Sequence, residues 1–390
     1  LFWSSLPKYD GSLSSNHLKE EVLIERDELG VPYIKAKTRE SISYGVGFVQ
    51  GQDRFFQMDL QRRAAAGELS ALFGPNLLEA DTALRVHGFR DRAKLLLKNL
   101  PEHEIDVLRD FTRGVNEGLA SLKTRPPEYW LINTKPEHWK PEDSILVIYT
   151  FYLDLQNNPG LDYARWVARQ TLPDEVVTFL DQPSHSWEAA IDGSRLLDTK
   201  IPGPEAFSYL KASGPVKDNK GIPDIVERMP GSNNWVVGPK ASVTGSPIIA
   251  NDPHLNLGVP NTWYKLSYSY LPAGETEYLE IHGFTIPGMP GIVIGTNGNL
   301  AWALTNSSLD VDDLIILEPG PNGFPEYKTP SGVSQIQYKK EVIQVKGAET
   351  VSIEVPFSQW GPLLVTHLQE KNEFGAGQPI ILKPETCRHS

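Results

Sequence analysis

Residues 229–235 read Met-Pro-Gly-Ser-Asn-Asn-Trp, and the chain changes character on either side of them. Just upstream, 202–231 carries Pro202, Gly203, Pro204, Gly214, Pro215, Gly221 and Pro223 with no periodicity, which predicts a linker or an exposed excursion. Farther upstream the spacing is helical. Residues 53–73 place Phe55, Phe56, Met58, Leu60, Leu69 and Leu72 among charged residues before a Gly74-Pro75 stop. Residues 102–122 and 141–156 repeat that spacing, the latter opening on Pro141-Glu142-Asp143. Downstream, the runs Trp235–Val237, Pro247–Ala250, Trp263–Leu271, Glu277–Phe284, Ile292–Ile294, Leu300–Leu304 and Leu314–Leu317 lie between Gly, Pro and Asn turns and predict strands. The pattern predicts an α+β fold whose helical half meets a strand-rich half at Ser232.

Composition narrows the function. The 390 residues are 40% hydrophobic and 22% charged, enough for one large domain or two. With 37 basic against 49 acidic residues the net charge is −12, which argues against nucleic acid or an anionic membrane surface as partner. A single cysteine, Cys387, excludes an intrachain disulfide and a cysteine zinc cluster. The longest apolar runs, such as Ile145–Tyr152, fall far short of the ~20 residues of a membrane span. There is no Gly-x-Ser-x-Gly elbow, Walker loop or His-Glu-x-x-His, and Gly45-Val46-Gly47 lacks the third glycine of a dinucleotide loop. Arg62-Arg63 reads as a charged helix face. The chain starts at Leu1 rather than Met, as after removal of a signal or anchor segment, and Ile380–Leu382 runs out with no closing element, as in a chain that continues.

Ser232 is the residue with chemical potential. A serine hydroxyl is a weak nucleophile at neutral pH and needs a base beside it. Its own α-amine, with a reference pKa of roughly 8, suits that role once the chain is cut before it. A serine after glycine can make that cut itself: the hydroxyl attacks the preceding carbonyl, the amide becomes an ester, and water frees the new N-terminus. Glycine adds no bulk and tolerates strained backbone, and an exposed upstream segment can be lost without dismantling a core. The same Gly-Ser pair also fits an ordinary turn.

Four blocks in order extend the reading: Arg26–Ala36 (RDELGVPYIKA), Gly45–Gly74 (GVGFVQGQDRFFQMDLQRRAAAGELSALFG), Gly231–Leu255 (GSNNWVVGPKASVTGSPIIANDPHL) and Pro290–Asn306 (PGIVIGTNGNLAWALTN). Together they resemble the penicillin acylase family of N-terminal nucleophile hydrolases. The resemblance implies an αββα four-layer sandwich, with 1–204 as the α-chain region, 205–231 as a spacer and 232–390 as the first part of a β-chain. It implies cleavage between Gly231 and Ser232, Ser232 as nucleophile, and a backbone N–H of Asn306 in the oxyanion hole. His254 matches a position beside the nucleophile that orients the amine and assists the cut; alone, a histidine in a polar turn is as readily a surface hydrogen-bonding residue. The family's second oxyanion donor, an asparagine side chain, matches nothing in these residues.

The resemblance further implies a structural Ca2+ held by Asp310, Asp312 through its carbonyl, and Asp313, with Asp162 as the α-chain ligand. Without it, Asp310-Val311-Asp312-Asp313 reads equally as a solvated acidic turn. The acyl-pocket positions the resemblance implies are Tyr152 on the α side and Leu255, Ile294 and Leu304 on the β side, and the aliphatic three suit a flexible fatty chain at least as well as an aromatic acyl group. The implied activity is hydrolysis of a small acyl-amide, of penicillin type or an N-acyl-homoserine lactone, by α and β chains that stay associated in the periplasm or outside the cell. The other reading is a non-catalytic relative or arrested precursor serving as a binding or assembly module.

Overall fold

The computed structural model describes residues 2–155, 159–182, 186, 192–195, 198–211, 231–255, 257–307, 312–364 and 380–384. The helices are α1 (Arg39–Asp53), α2 (Phe55–Ala66), α3 (Ser70–Phe73), α4 (Leu78–Arg85), α5 (Phe89–Asn99), α6 (Glu102–Ala120), α7 (Pro127–Leu131), α8 (Pro141–Leu155), α9 (Pro159–Thr171) and α10 (Asp174–Leu180). The strands are β1 (Leu23–Arg26), β2 (Pro32–Lys35), β3 (Gly231–Val237), β4 (Ile248–His254), β5 (Tyr264–Tyr270), β6 (Leu279–Thr285), β7 (Ile294–Thr296), β8 (Ala301–Trp302), β9 (Asp312–Ile316), β10 (Glu326–Thr329), β11 (Gly332–Gln335), β12 (Gln337–Ile343), β13 (Val351–Ser358), β14 (Gly361–Leu364) and β15 (Ile380–Pro384). This is an α+β chain. It divides into two compact units, one of 1–155, 230–307 and 338–356, the other of 156–229, 308–337 and 357–390.

In the first unit a six-stranded sheet runs in the order β1-β2-β5-β6-β7-β8. The hairpin β1–β2 comes from the helical half of the sequence, yet β2 pairs in parallel with β5 (Tyr33 opposite Ser267). Helices cover the sheet through a core of Ile34, Val46, Val49, Phe55, Met58, Phe111, Val115, Tyr129, Trp139 and Leu266, all almost fully buried. Burial of side chains of this size contributes about 1.5–3 kcal/mol each.

Sequence periodicity misses α1, because its face toward α6 is made of small residues. A Cβ at Gly47 would lie 2.2 Å from the Phe111 carbonyl oxygen, and one at Gly114 would lie 1.9 Å from that of Tyr44. Glycines on both helices therefore let two backbones touch. Thr38 caps α1, its side chain accepting from the Ser41 N–H at 3.1 Å, a bond whose loss typically costs about 1 kcal/mol. The expected helix over 53–73 is two helices, because Gly67 takes the left-handed conformation (φ 63°, ψ 52°) and closes α2.

Arg62 and Arg63 correct the reading of a charged helix face. They are 3% and 4% exposed. Asp59 accepts from Arg62 Nε and Arg63 Nε, both at 2.8 Å, and from the Tyr129 hydroxyl at 2.6 Å. Asp143, also fully buried, accepts from Arg62 Nη1 (2.5 Å), from the Lys140 backbone N–H (2.8 Å) and from Arg90. Glu68 completes the set as a second partner of Arg90 at 2.6 Å. Burial and the adjacent carboxylate both push the Tyr129 hydroxyl far above its ordinary pKa, so it stays a donor.

In the second unit, β15 lies antiparallel between β14 and β9, and Phe357 and Ser358 at the end of β13 pair with Pro362 and Gly361 of β14. β10 and β11 form a hairpin, with Tyr327, Leu317 and Leu363 in a small core. α9 packs against β9. Among the described residues no helix is long and apolar enough to cross a membrane.

Candidate active site

β3 and β4 form a two-stranded antiparallel ribbon with Gly231 opposite His254, Ser232 opposite Pro253 and Asn234 opposite Asn251. The strand begins at Gly231, so regular pairing spans the Gly231–Ser232 bond. The ribbon is exposed: Trp235, Val236, Ile248 and Ile249 keep 37–67% of their surface in contact with solvent. Ladder hydrogen bonds, rather than a packed core, fix its register.

Four hydrogen bonds bring segments distant in sequence together around Ser232. The Asn306 backbone N–H donates to Ser232 Oγ at 3.0 Å. The Asn306 side chain donates to the Leu155 carbonyl, at the end of α8, at 2.7 Å. Asn251 Nδ2 donates to the Asn233 and Leu304 carbonyls, each at 3.0 Å. An N–H aimed at a serine hydroxyl lies next to any carbonyl that the hydroxyl oxygen engages, and such a donor lowers a barrier by roughly 3 kcal/mol where water is excluded.

His254 Nε2 lies 2.9 Å from Asp252 Oδ2. An ionised carboxylate only accepts, so in the neutral imidazole Nε2 carries the hydrogen and Nδ1 keeps a lone pair. The Asn233 side-chain nitrogen, 3.4 Å from the same Nε2, is then only a neighbour. Nδ1 faces Gly231, 3.4 Å from where a Cβ on that residue would sit. The proton-accepting nitrogen thus points at the residue before Ser232. Both side chains are about half exposed or more, so the pair's worth is orientation, not stability.

The expected acyl-pocket positions fall on different elements. Tyr152 is on α8 with its ring edge-on to Phe89 at 6.0 Å. Ile294 opens β7 opposite Phe284, Leu255 follows β4, and Leu304 is 56% exposed with its carbonyl held by Asn251. Two cavities, of about 650 and 500 Å3, are lined by other residues, the larger by Arg63, Glu68, Arg90, Lys140 and Asp143 among others. Of the expected calcium ligands, Asp162 is on α9, and Asp312 and Asp313 begin β9, which α9 touches. Asp310 lies outside the described residues. Among those described, no three carboxylate, histidine or cysteine side chains converge on a metal-sized space. Sequence reasoning passed over Asn251 and Asp252. The available signal was a polar pair closing the otherwise apolar strand Ile248-Ile249-Ala250.

Comparison with known proteins gives this geometry a context. A family described as penicillin amidase matches residues 21–384. The acyl-homoserine lactone acylase QuiP of Pseudomonas aeruginosa is 29% identical over 97% of this chain and 44% of its own length. The penicillin acylase 2 proenzyme of Pseudomonas sp. strain SE83 is 29% identical over 93% of this chain and 46% of its own. The chain therefore spans less than half the length of these relatives. Among solved structures, a thermostable penicillin G acylase from Alcaligenes faecalis aligns with 47% of this chain and 98% of its own at 24% identity and a TM-score of 0.38.

Proposed function

Because the chain belongs to the penicillin amidase family, we propose that it is the nucleophile-bearing part of a self-processing acylase with an αββα sandwich. The observation that carries this reading is the Asn306 N–H donating to Ser232 Oγ at 3.0 Å across 74 residues of sequence. In the first reaction, Ser232 Oγ attacks the Gly231 carbonyl carbon and the peptide C–N bond breaks. The Ser232 nitrogen takes the hydroxyl proton, and water hydrolyses the ester to a Gly231 carboxylate and a free Ser232 amine. His254 Nδ1, held in its tautomer by Asp252, faces this bond. In the second, the freed amine accepts the Oγ proton as Oγ attacks the substrate amide, then passes it to the leaving amine. Water releases the acid from the acyl-serine, and the Asn306 N–H stabilises the oxyanion in both halves.

The relatives' names give two substrate classes, acyl-homoserine lactones and penicillins. Aliphatic Leu255, Ile294 and Leu304 favour the first, in its long-chain form. A structural Ca2+ at Asp162, Asp310, Asp312 and Asp313 belongs to the same proposal; added calcium should then raise the melting temperature and chelator should lower it.

The test uses the full-length gene product of the natural locus. Intact mass and N-terminal sequencing should reveal a chain starting at Ser232, and dodecanoyl-homoserine lactone should turn over faster than penicillin G. Ser232→Ala should abolish cleavage and hydrolysis together. A fully active protein that stays one chain would sink the mechanism. An uncleaved, inactive but folded protein would favour the binding or assembly module.

A further inference from the structure

The segment that presents the Asn306 donor has little structure of its own. Residues 303–307 follow β8 without helix or strand. The described hydrogen bonds that hold them are Asn306 N–H to Ser232 Oγ, the Asn306 side chain to the Leu155 carbonyl, and Asn251 Nδ2 to the Leu304 carbonyl. Asn251 gives its other amide hydrogen to the Asn233 carbonyl, one residue past the nucleophile.

We infer that Asn251 is a positioning residue which ties the donor segment to the nucleophile strand and so sets the distance between the Asn306 N–H and Ser232 Oγ. The inference rests on the acylase reading above. Its geometric basis is independent of that reading. Asn251 sits on β4 opposite Asn234, so the ladder fixes its backbone. Its amide orientation is forced: turned over, Oδ1 would face two carbonyl oxygens and both hydrogens would be lost. As placed, Oδ1 is buried without a hydrogen-bond partner. An unpaired buried acceptor calls for an explanation, and a competing demand on the same group supplies one. Here that demand is a two-carbonyl bridge from a single nitrogen, which the isosteric carboxylate of aspartate cannot make.

Reaction rates respond steeply to this kind of placement, and a displacement of about 1 Å costs on the order of 10²-fold. In the full-length gene product, Asn251→Ala should fold, melt near the wild-type temperature, and lose about 10- to 100-fold in kcat per titrated active site. KM should change less than about threefold, since the donor acts on the oxyanion rather than on bound substrate. Asn251→Asp gives a readout that a merely structural residue would not move. At neutral pH its carboxylate confronts two carbonyls and the variant should be no better than Asn251→Ala. As pH falls from about 8 to about 5, the protonated acid regains one donor, so the ratio of the Asp to the Ala variant should climb.

A folded Asn251→Ala protein arrested before Gly231–Ser232 cleavage would count for the inference, because the first attack uses the same oxygen and the same N–H. Normal processing with kcat within threefold of wild type would overturn it. So would a collapse in melting temperature with kcat and KM lost together, or a flat Asp-to-Ala ratio. If the wild-type product neither cleaves nor hydrolyses, the acylase reading itself fails and this inference goes with it. A competent wild type with an indifferent Asn251→Ala removes the inference alone.

Discussion

Asp59 and Ser232 both sit among polar neighbours, but the surroundings follow opposite rules. Around Asp59 and Asp143 the carboxylates are fully buried, and every guanidinium that reaches them is buried or nearly so. Each charge is matched by charged, hydroxyl or backbone partners. Around Ser232 the strands are half exposed, the hydroxyl accepts one described backbone bond, and a buried amide oxygen on Asn251 goes unpaired. The saturated cluster pairs its charges with one another, and so it locks α2, α5 and α8 together. The region around Ser232 keeps hydrogen-bonding capacity unused. A buried constellation rich in charge is therefore not by itself a site; spare capacity beside a nucleophile is the better mark.

The widest separation between the two regions should come from removing one member of each. Asp143→Ala strands Arg62 and Arg90 in the core without their shared carboxylate, and breaking a buried pair in this way costs about 3–5 kcal/mol. Urea unfolding should show that loss. Ser232→Ala, by contrast, should alter unfolding free energy by less than about 1 kcal/mol, since it removes one acceptor from an exposed ribbon. Equal losses for the two variants would show that the ribbon is as much a part of the folding core as the cluster.

Glycines sharpen the same contrast at a smaller scale. Gly114 on α6 meets the Tyr44 carbonyl so closely that Gly114→Ala must push α1 and α6 apart, at a cost of about 1–3 kcal/mol. Gly231, beside Ser232, has only His254 Nδ1 near its Cβ position, at ordinary contact distance. Gly231→Ala should therefore leave thermal stability unchanged within about 0.5 kcal/mol. A melting comparison of the two variants decides whether α1 and α6 are close-packed while the ribbon is open.

What the sequence revealed and what it hid follow from the range of the interactions. Ser232, His254 and Asn306 stand in local motifs, so they stood out as candidates before any fold was known. The strand-rich half was legible too, because apolar alternation and Gly/Pro turns are local signals. Arg62 was misread because the partner that buries it, Asp143, is 81 residues away, and an Arg-Arg pair on a helix otherwise predicts a wet face. α1 escaped because Ser41, Gly45, Gly47 and Gly51 give a weak apolar pattern, although that smallness lets the helix pack. Asn251 was legible as a polar residue but not as a partner, since its role depends on cross-strand register and on a segment about 50 residues downstream, whereas Asp252 pairs with His254 only two residues on.

Acid gives the finest probe of the helical region, because His87 is largely removed from water there with no carboxylate described beside it. His87 stacks on Phe89 at 4.8 Å, and burial, with a smaller contribution from the Arg92 charge, lowers its pKa to about 4. The unfolded chain binds its proton near pH 6.5, so between about 6.5 and about 4 the unfolded state carries more protons than the folded one. Stability from a neutral His87 is then fully present above about pH 6.5 and drains away as pH falls through the folded value, by on the order of 1–3 kcal/mol. His87→Phe keeps the stack on Phe89 and removes the titration, so its stability should fall less steeply than wild type across that window. Parallel pH profiles for the two proteins would mean that His87 titrates as a solvated group and that the helical region's saturation stops short of α5.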